Sequence, residues 1–297
     1  MSRSFRRTLG VRLGTFTHYD GRPLTVRAQR GSDHTASVAP RISIVTPVYN
    51  QSLYIEATLQ SVLSQKYPNL QYIVMDGGSR DGTWEIIQRF QEHLAFAHSG
   101  PDGGQAAAIN AGMQKADGEI VAWLNGDDVL LPGALAYVAA FFERNAEVDV
   151  VYGHRIVIDA NGLDIGRWVL PPHDGSVLSW MDFIPQETLF LRRSAFEKVG
   201  FRVDESFQFA LDWDLLLRLR DAGVRFKRLP RYLGGFRVHE AQKTSAAWSQ
   251  DGVAETELLL RRCHQRIPTM QERRLRVMPY IAKHVFLQWA DRLFHRY

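Results

Sequence analysis

The sequence predicts an α/β protein built on a mostly parallel central sheet with helices on both faces. Three observations carry this. Four apolar runs recur between residues 41 and 125. Amphipathic helical patterns separate them, the alternation expected of parallel βαβ units. Polar segments follow the carboxyl ends of all four runs, with glycines in the last three, where open α/β sheets bind ligands.

"RISIVTPVYN" (41–50) reads as a buried strand ending in a proline turn. Ser52 can cap a helix reaching about Gln65, with Ile55, Leu59, Val62 and Leu63 on one face. "LQYIVMD" (70–76) is the second strand. Asp81 or Thr83 caps a helix through about Leu94, and "AFAHS" (95–99) is a short third strand. Gln105 to Lys115 is helical, and "EIVAWLN" (119–125) is the fourth strand. The second half is less regular. Residues 148–159 read as two short strands or one bent one, 187–200 as a strand entering a helix, 211–223 as a helix with a glycine stop, and 224–239 as strand-like. Helices are expected over Glu255 to about Arg266 and Leu275 to Phe294. The division is a basic arm (1–40) with one short helix near Phe5 to Leu13, a single domain (41–245), and a helical extension (246–297).

At 45% hydrophobic and 23% charged residues, the chain has an ordinary globular composition. No apolar run is long enough to span a bilayer, and the N-terminus lacks the marks of a secretory signal. Cys263, the one cysteine, allows no intrachain disulfide. A cytoplasmic protein is expected, peripheral at most at the inner face of the membrane. The net charge of +4 conceals +6 over residues 1–41, +7 over 261–297 and −9 between. The basic termini suit an anionic membrane surface, or are merely solvated flanks. The acidic centre and the lack of any recognition motif argue against nucleic acid.

Four segments carry candidate chemistry. "DGGSRDGT" (76–83) places Asp76 at a strand end before two glycines; it is either a ligand-approaching loop or a plain turn with a helix cap. "NGDD" (125–128) is either a capping turn or a hard-oxygen site for Mg2+ or Mn2+. In "ALDWDLLLRL" (210–219), Asp212 and Asp214 either favour a helix N-terminus or include a general base. His239 is structural unless a metal lies beside it. The G-x-G-x-x-G and G-x-x-x-x-G-K-[ST] fingerprints of dinucleotide and P-loop sites are absent.

In their order these segments resemble family 2 glycosyltransferases, inverting enzymes of the GT-A, Rossmann-like fold. "SIVTPVYNQSLYIEATLQSVLSQKYPNLQYIVMDGGSRDGTWEII" and "SGPDGGQAAAINAGMQKADGEIVAWLNGDDVLLPGAL" carry the resemblance, which extends from about Arg41 to Ser245. It implies a nucleotide-sugar donor, by default a UDP-sugar, and a glycan or lipid-linked acceptor in cell-surface polysaccharide or glycolipid assembly. By the resemblance, Thr46, Pro47, Tyr49, Asn50 and Asp76 would hold base and ribose. Asp102, Gln105, Asn110 and Asn125 would line the donor site, and Asp127, Asp128 and His239 would meet Mg2+ or Mn2+. Asp212 matches the catalytic base, and Gln186, Glu187 and Trp213 are candidates for the acceptor pocket. Two positions depart from the pattern. Asn125 replaces the first acid of the metal motif, and Leu211 replaces the acid before the base, leaving Asp214 as the alternative base.

Other readings are a sugar-nucleotide pyrophosphorylase, which would need a glycine-rich, arginine-containing loop after the first strand, and an idle nucleotide-sugar-binding module. The C-terminal pattern of Ile281, Val285, Phe286, Trp289, Leu293 and Phe294, with Lys283, Arg292 and Arg296 nearby, fits a packed helix, a dimer interface or a membrane-surface helix.

Overall fold

A computed structural model describes residues 16–25, 39–240 and 250–294. The short helix expected near Phe5 to Leu13 lies outside them.

The four expected strands form β1 (Ile42–Val48), β2 (Leu70–Asp76), β3 (Phe96–Ser99) and β4 (Ile120–Trp123). They pair in parallel in the order β3-β2-β1-β4, with Ile42 opposite both Leu70 and Ile120. Every residue of β1 is buried, which is why the run lacks polar alternation. Its side chains still divide between two cores. Val45 joins Ile73, Ile109 and Met113 on one face. Ile42, Ile44 and Val48 join Tyr72, Leu59 and Leu135 on the other.

The intervening helices are α1 (Ile55–Leu63), α2 (Thr83–Gln88) and α3 (Gln105–Met113), followed by α4 (Ala134–Arg144). In α1 the buried residues Ile55, Thr58, Leu59 and Val62 mark one stripe at helical spacing. Gly112 of α3 lets the helix sit on β1 and β2, because a Cβ there would collide with Val45 and lie 3.2 Å from Met75.

Beyond β4 the sheet changes direction. A two-residue strand, β5 (Val129–Leu130), precedes β6 (Val150–Ile158), β7 (Asp164–Trp168), β8 (Phe190–Arg192) and β9 (Phe226–Arg237). The order continues β4-β8-β6-β9-β5, with β8 antiparallel to β4 and to β6, β9 parallel to β6, and β7 an antiparallel partner of β6. Residues 148–159 therefore hold one strand, with ladder irregularities around His154 rather than a break. The helices here are α5 (Gly175–Leu178), α6 (Arg193–Glu197) and α7 (Leu211–Asp221). The described part of the arm lies against β7: Arg22 pairs with Asp164, and Tyr19 donates its hydroxyl hydrogen to the same carboxylate.

The extension forms α8 (Gln250–His264) and α9 (Met270–Phe294). Leu259, Leu260, Val277 and Tyr280 enter the core that contains α7. Burying a leucine side chain contributes about 1.5–3 kcal/mol, so the extension is integral to the domain. Among the described residues no helix is long and apolar enough to cross a membrane.

Candidate functional site

The carboxyl ends of β1 and β2 are locked together. Asn50 adopts φ +50°, a left-handed conformation that asparagine tolerates better than most residues. Its backbone N–H donates to Ser79 Oγ at 2.8 Å, and its Oδ1 accepts from the Arg80 N–H at 2.9 Å. Asp76 is buried and accepts from the Ser79 N–H at 3.1 Å and from the hydroxyls of Ser79 and Ser99. A Cβ on Gly77 would lie 3.1 Å from Asp102 Oδ2 and 3.3 Å from the Tyr49 ring. The missing side chain thus lets Tyr49 and Asp102 converge beside Asp76. Tyr49 leaves its ring largely exposed there, at 60%.

A chain of amides runs along the same rim. Gln105, the first residue of α3, donates Nε2–H to Asn125 Oδ1 at 2.8 Å. Asn125 donates to Gln186 Oε1 at 3.3 Å, and Gln186 donates to the Trp123 carbonyl at 2.8 Å. Gln105, Asn125 and Gln186 are thus brought together, and this is a physical reason for an amide at 125: it donates to one glutamine while accepting from the other, which an ionised carboxylate cannot do.

The two acids after Asn125 differ. Asp127 Oδ2 lies 3.1 Å from His239 Nε2, and the His239 ring packs on Tyr54 at 4.4 Å between centroids. Asp128 is held from β9 instead: its Oδ1 accepts from the Arg237 N–H at 2.9 Å, and its carbonyl accepts from Thr58 Oγ1 at 2.7 Å. Arg237 Nε also donates to the Asp127 carbonyl at 2.7 Å. Burial, then the charges of Asp127 and Glu187, push the Asp128 carboxyl well above the usual carboxylate range.

Asp212 sits in the first turn of α7, with its Oδ1 accepting from the Trp213 N–H at 2.9 Å. Burial pushes its pKa up to about 6, against that hydrogen bond. Asp182 lies close enough that, after burial, the Asp212 charge is what raises its own pKa. By surface, Asp182 is exposed and Asp212 half-buried, so both carboxylates are reachable from solvent. Arg155 stands among these acids. It binds Glu187 through two N–H groups, Nε at 2.8 Å, and its charge also lowers the pKa of Asp128, Asp182 and Asp212. Burial opposes the charge of Arg155, but the surrounding carboxylates, Glu187 first and then Asp128 and Asp182, together outweigh it.

The extension holds this helix start. Glu255 of α8 accepts from the consecutive N–H groups of Gln208, Phe209 and Ala210 at 2.7, 2.9 and 2.8 Å. Ala210 is the residue before α7, which has no side-chain cap of its own.

Several residues expected at the rim are turned away from it. Thr46 is fully buried with its hydroxyl 3.0 Å from Tyr72 OH, and Pro47 is buried inside β1. Asn110 faces the segment after α6, accepting from the Val203 N–H and donating to Glu205 and the Val203 carbonyl. Trp213 is a core anchor rather than a stacking face, with its indole N–H on the Leu178 carbonyl at 2.8 Å. Glu187 is 2% exposed and committed to Arg155. Asp214 is paired with Arg218 and Arg262, which removes it as the alternative base. Sequence reasoning missed Asp182, Arg155, Arg237 and Glu255. The first three carry no local motif, and Glu255 was read only as the start of a helix.

Among the described residues no group of three or more His, Cys, Asp or Glu surrounds a metal position. Asp127 and His239 supply two donor atoms. That fits a cation of the Mg2+ or Mn2+ type, which binds through one or two carboxylates and takes other oxygens from substrate phosphates and water.

Residues 43–200 match the family model described as glycosyl transferase family 2. An uncharacterized glycosyltransferase of Rickettsia typhi (strain ATCC VR-144 / Wilmington) is 30% identical over 222 residues, which cover 71% of this chain and 68% of that protein. Among solved structures, S. aureus TarS residues 1–349 in complex with UDP-GlcNAc aligns with a TM-score of 0.63 at 18% identity, covering 82% of this chain and 72% of that one. The mannosyltransferase PcManGT of Pyrobaculum calidifontis, in complex with GDP-Man and Mn2+, aligns with a TM-score of 0.59 at 20% identity, covering 84% and 70%. At these identities the structural likeness speaks for the fold, which is of the GT-A type.

Proposed function

The chain belongs to glycosyl transferase family 2, and from that premise we propose that it moves a sugar from a nucleotide-diphosphate sugar, by default a UDP-sugar, to an acceptor hydroxyl with inversion at the anomeric carbon. The observation that carries this reading is Asp212, a half-buried carboxylate in the first turn of α7 with its pKa pushed up to about 6. A base with that value is ionised at neutral pH and retains affinity for a proton.

Tyr49, Asn50, Asp76 and Asp102 form the part of the rim suited to a base and ribose. The amide chain Gln105–Asn125–Gln186 borders the position of the sugar. Asp127 and His239 would hold Mg2+ or Mn2+, and such a cation would stabilise charge developing on the diphosphate. Asp212 accepts the proton of the acceptor hydroxyl as its oxygen attacks the anomeric carbon opposite the leaving diphosphate. Arg155, paired with Glu187, sets its positive charge against that carboxylate. Repulsion by Asp182 and Asp212 favours a neutral acceptor, a glycan or the sugar of a lipid-linked one, over a polyanion. An acceptor of that kind is in keeping with cell-surface polysaccharide or glycolipid assembly.

Release of nucleoside diphosphate from a panel of nucleotide sugars, measured with Mn2+ and acceptor mixtures, tests the reading. The parent turns over at least one donor, and Asp212→Asn binds that donor without turnover. Unchanged turnover by Asp212→Asn overturns the assignment of the base.

A further inference from the structure

Helix α9 has two apolar faces. Val277 and Tyr280 enter the core, and Ile281 packs against it. On the far side Leu275 (67%), Met278 (53%), Phe286 (63%), Trp289 (47%) and Leu293 (46%) stand exposed. At 100° per residue these five fall within about 80° of one another, opposite the buried side. The exposures keep that phase on both sides of Pro279. The apolar pattern legible in the sequence therefore divides, with Ile281 turned inward and Phe286, Trp289 and Leu293 outward.

Basic residues flank the outward stripe. Arg274 lies along one edge, Arg276 and Lys283 along the other, and all three are exposed. The two acids of α9 are engaged elsewhere, Glu272 with Arg266 and Asp291 with Tyr232 OH. The exposed side thus combines leucine, phenylalanine and tryptophan with positive charge and presents no unpaired carboxylate.

We propose that this side of α9 lies flat on an anionic lipid surface, its apolar stripe sunk to the headgroup boundary and its basic edges against the lipid phosphates. A helix of 25 residues is about 37 Å long, but it is not apolar enough to cross a membrane, so the stripe runs parallel to the surface. A second copy of this chain is the less suitable occupant, because its stripe would bring the same basic edges together. Amphipathic helices with basic flanks and Trp, Phe and Leu on the apolar side bind membranes through these two contributions together.

Flotation of the full chain with phosphatidylcholine vesicles, and with vesicles one-third phosphatidylglycerol, tests the proposal. The chain floats with the anionic vesicles only, and added salt weakens its binding. Phe286→Ser with Trp289→Ser abolishes flotation. Neutralising Arg274, Arg276 and Lys283 to Gln weakens partition about five-fold per charge. Brominated lipid quenches the parent's tryptophan emission, and Trp289→Phe removes that quenching, a readout that does not depend on the serine variants folding. Absence of flotation by the parent, or equal quenching of parent and Trp289→Phe, overturns the proposal. So does a concentration-dependent dimer that Phe286→Ser dissociates in a chain that ignores vesicles.

Discussion

His239 Nε2 and Asp127 Oδ2 lie 3.1 Å apart, while Asp128, the next residue, has its Oδ1 on the backbone N–H of Arg237. Two adjacent aspartates therefore have different tasks. Asp127→Asn should weaken Mn2+-dependent donor binding by about ten-fold or more, with little effect on thermal stability. Asp128→Asn keeps an oxygen for the Arg237 N–H and removes a carboxylate that burial disfavours. It should retain the response to Mn2+ and be at least as stable as the parent. Titration calorimetry with UDP and Mn2+, beside a melting curve for each variant, checks both halves. Equal loss of binding in the two would refute the division.

Asp212 sets a pH dependence. A base must be ionised to act, so kcat/KM should rise with pH through a limb near 6, the value to which burial pushes this carboxyl, and then level off. Asp182 shares the titration as a like-charged neighbour, so the limb belongs to the pair. Asp182→Asn removes the repulsion and should move the limb to lower pH. A pH–rate profile of parent and variant decides this, and an unmoved limb would detach Asp182 from the site.

The same shift has a stability side. A carboxyl whose folded pKa stands above its ordinary 3.8 binds more protons folded than unfolded between those values, so its contribution declines as pH rises from about 4 to 6 and is then constant. Asp212→Asn should raise Tm at pH 7.5 while activity falls by about 100-fold or more, and the gain should vanish near pH 4. A lower Tm at pH 7.5 would contradict the burial of this charge.

Glu255 reaches the site only through the backbone of residues 208–210. Glu255→Ala leaves three N–H groups to water and should cost about 1–2 kcal/mol, a few degrees in Tm for a domain of this size. Its kcat should fall with KM for the donor little changed, since the donor side of the rim is held from other strands. Glu255→Gln keeps one acceptor oxygen and should recover part of both. A Tm loss without any change in kcat would make Glu255 structural only.

Gly126 is sterically required in the acidic turn. A Cβ there would lie 2.8 Å from Val48 Cγ2 and collide with the Gln51 side chain. Gly126→Ala should cost about 1–3 kcal/mol and displace Asp127 from His239, lowering metal-dependent donor binding as well as Tm. Denaturant melts beside binding measurements test this.

The parallel half of the fold was legible because β1, β2 and β4 are largely apolar, buried runs and one helical pattern stands between successive strands. The second half was legible in part: the segments 148–159, 187–200 and 224–239, read as strand-bearing, hold β6, β8 and β9. β5 has two residues, too short for any period to register. β7 was passed over because its "DIGRW" carries two charges, and these are buried only through pairing with each other and with the arm. The site followed the same division. Asp76, Asp127, Asp212 and His239 stood out at the ends of recognisable segments. Arg155 and Arg237 reach the acids only because β6 and β9 pair in parallel, with Ile158 opposite Arg237, a register no local window contains. Thr46 and Asn110 show the converse error: both stand among residues that read as ligand-facing, and both are spent on holding neighbouring segments.

The clamp on Asp128 has a consequence for the order in which the protein is made. Residues 125–128 leave the ribosome more than a hundred residues before Arg237, whose backbone holds Asp128 and whose guanidinium holds the Asp127 carbonyl. Throughout that interval the nascent chain carries both acids without the strand that separates their tasks. Thr58 and Gln105 can hold the backbone and Asn125 of this turn early, but the Asp128 carboxylate gains its partner only when β9 joins the sheet.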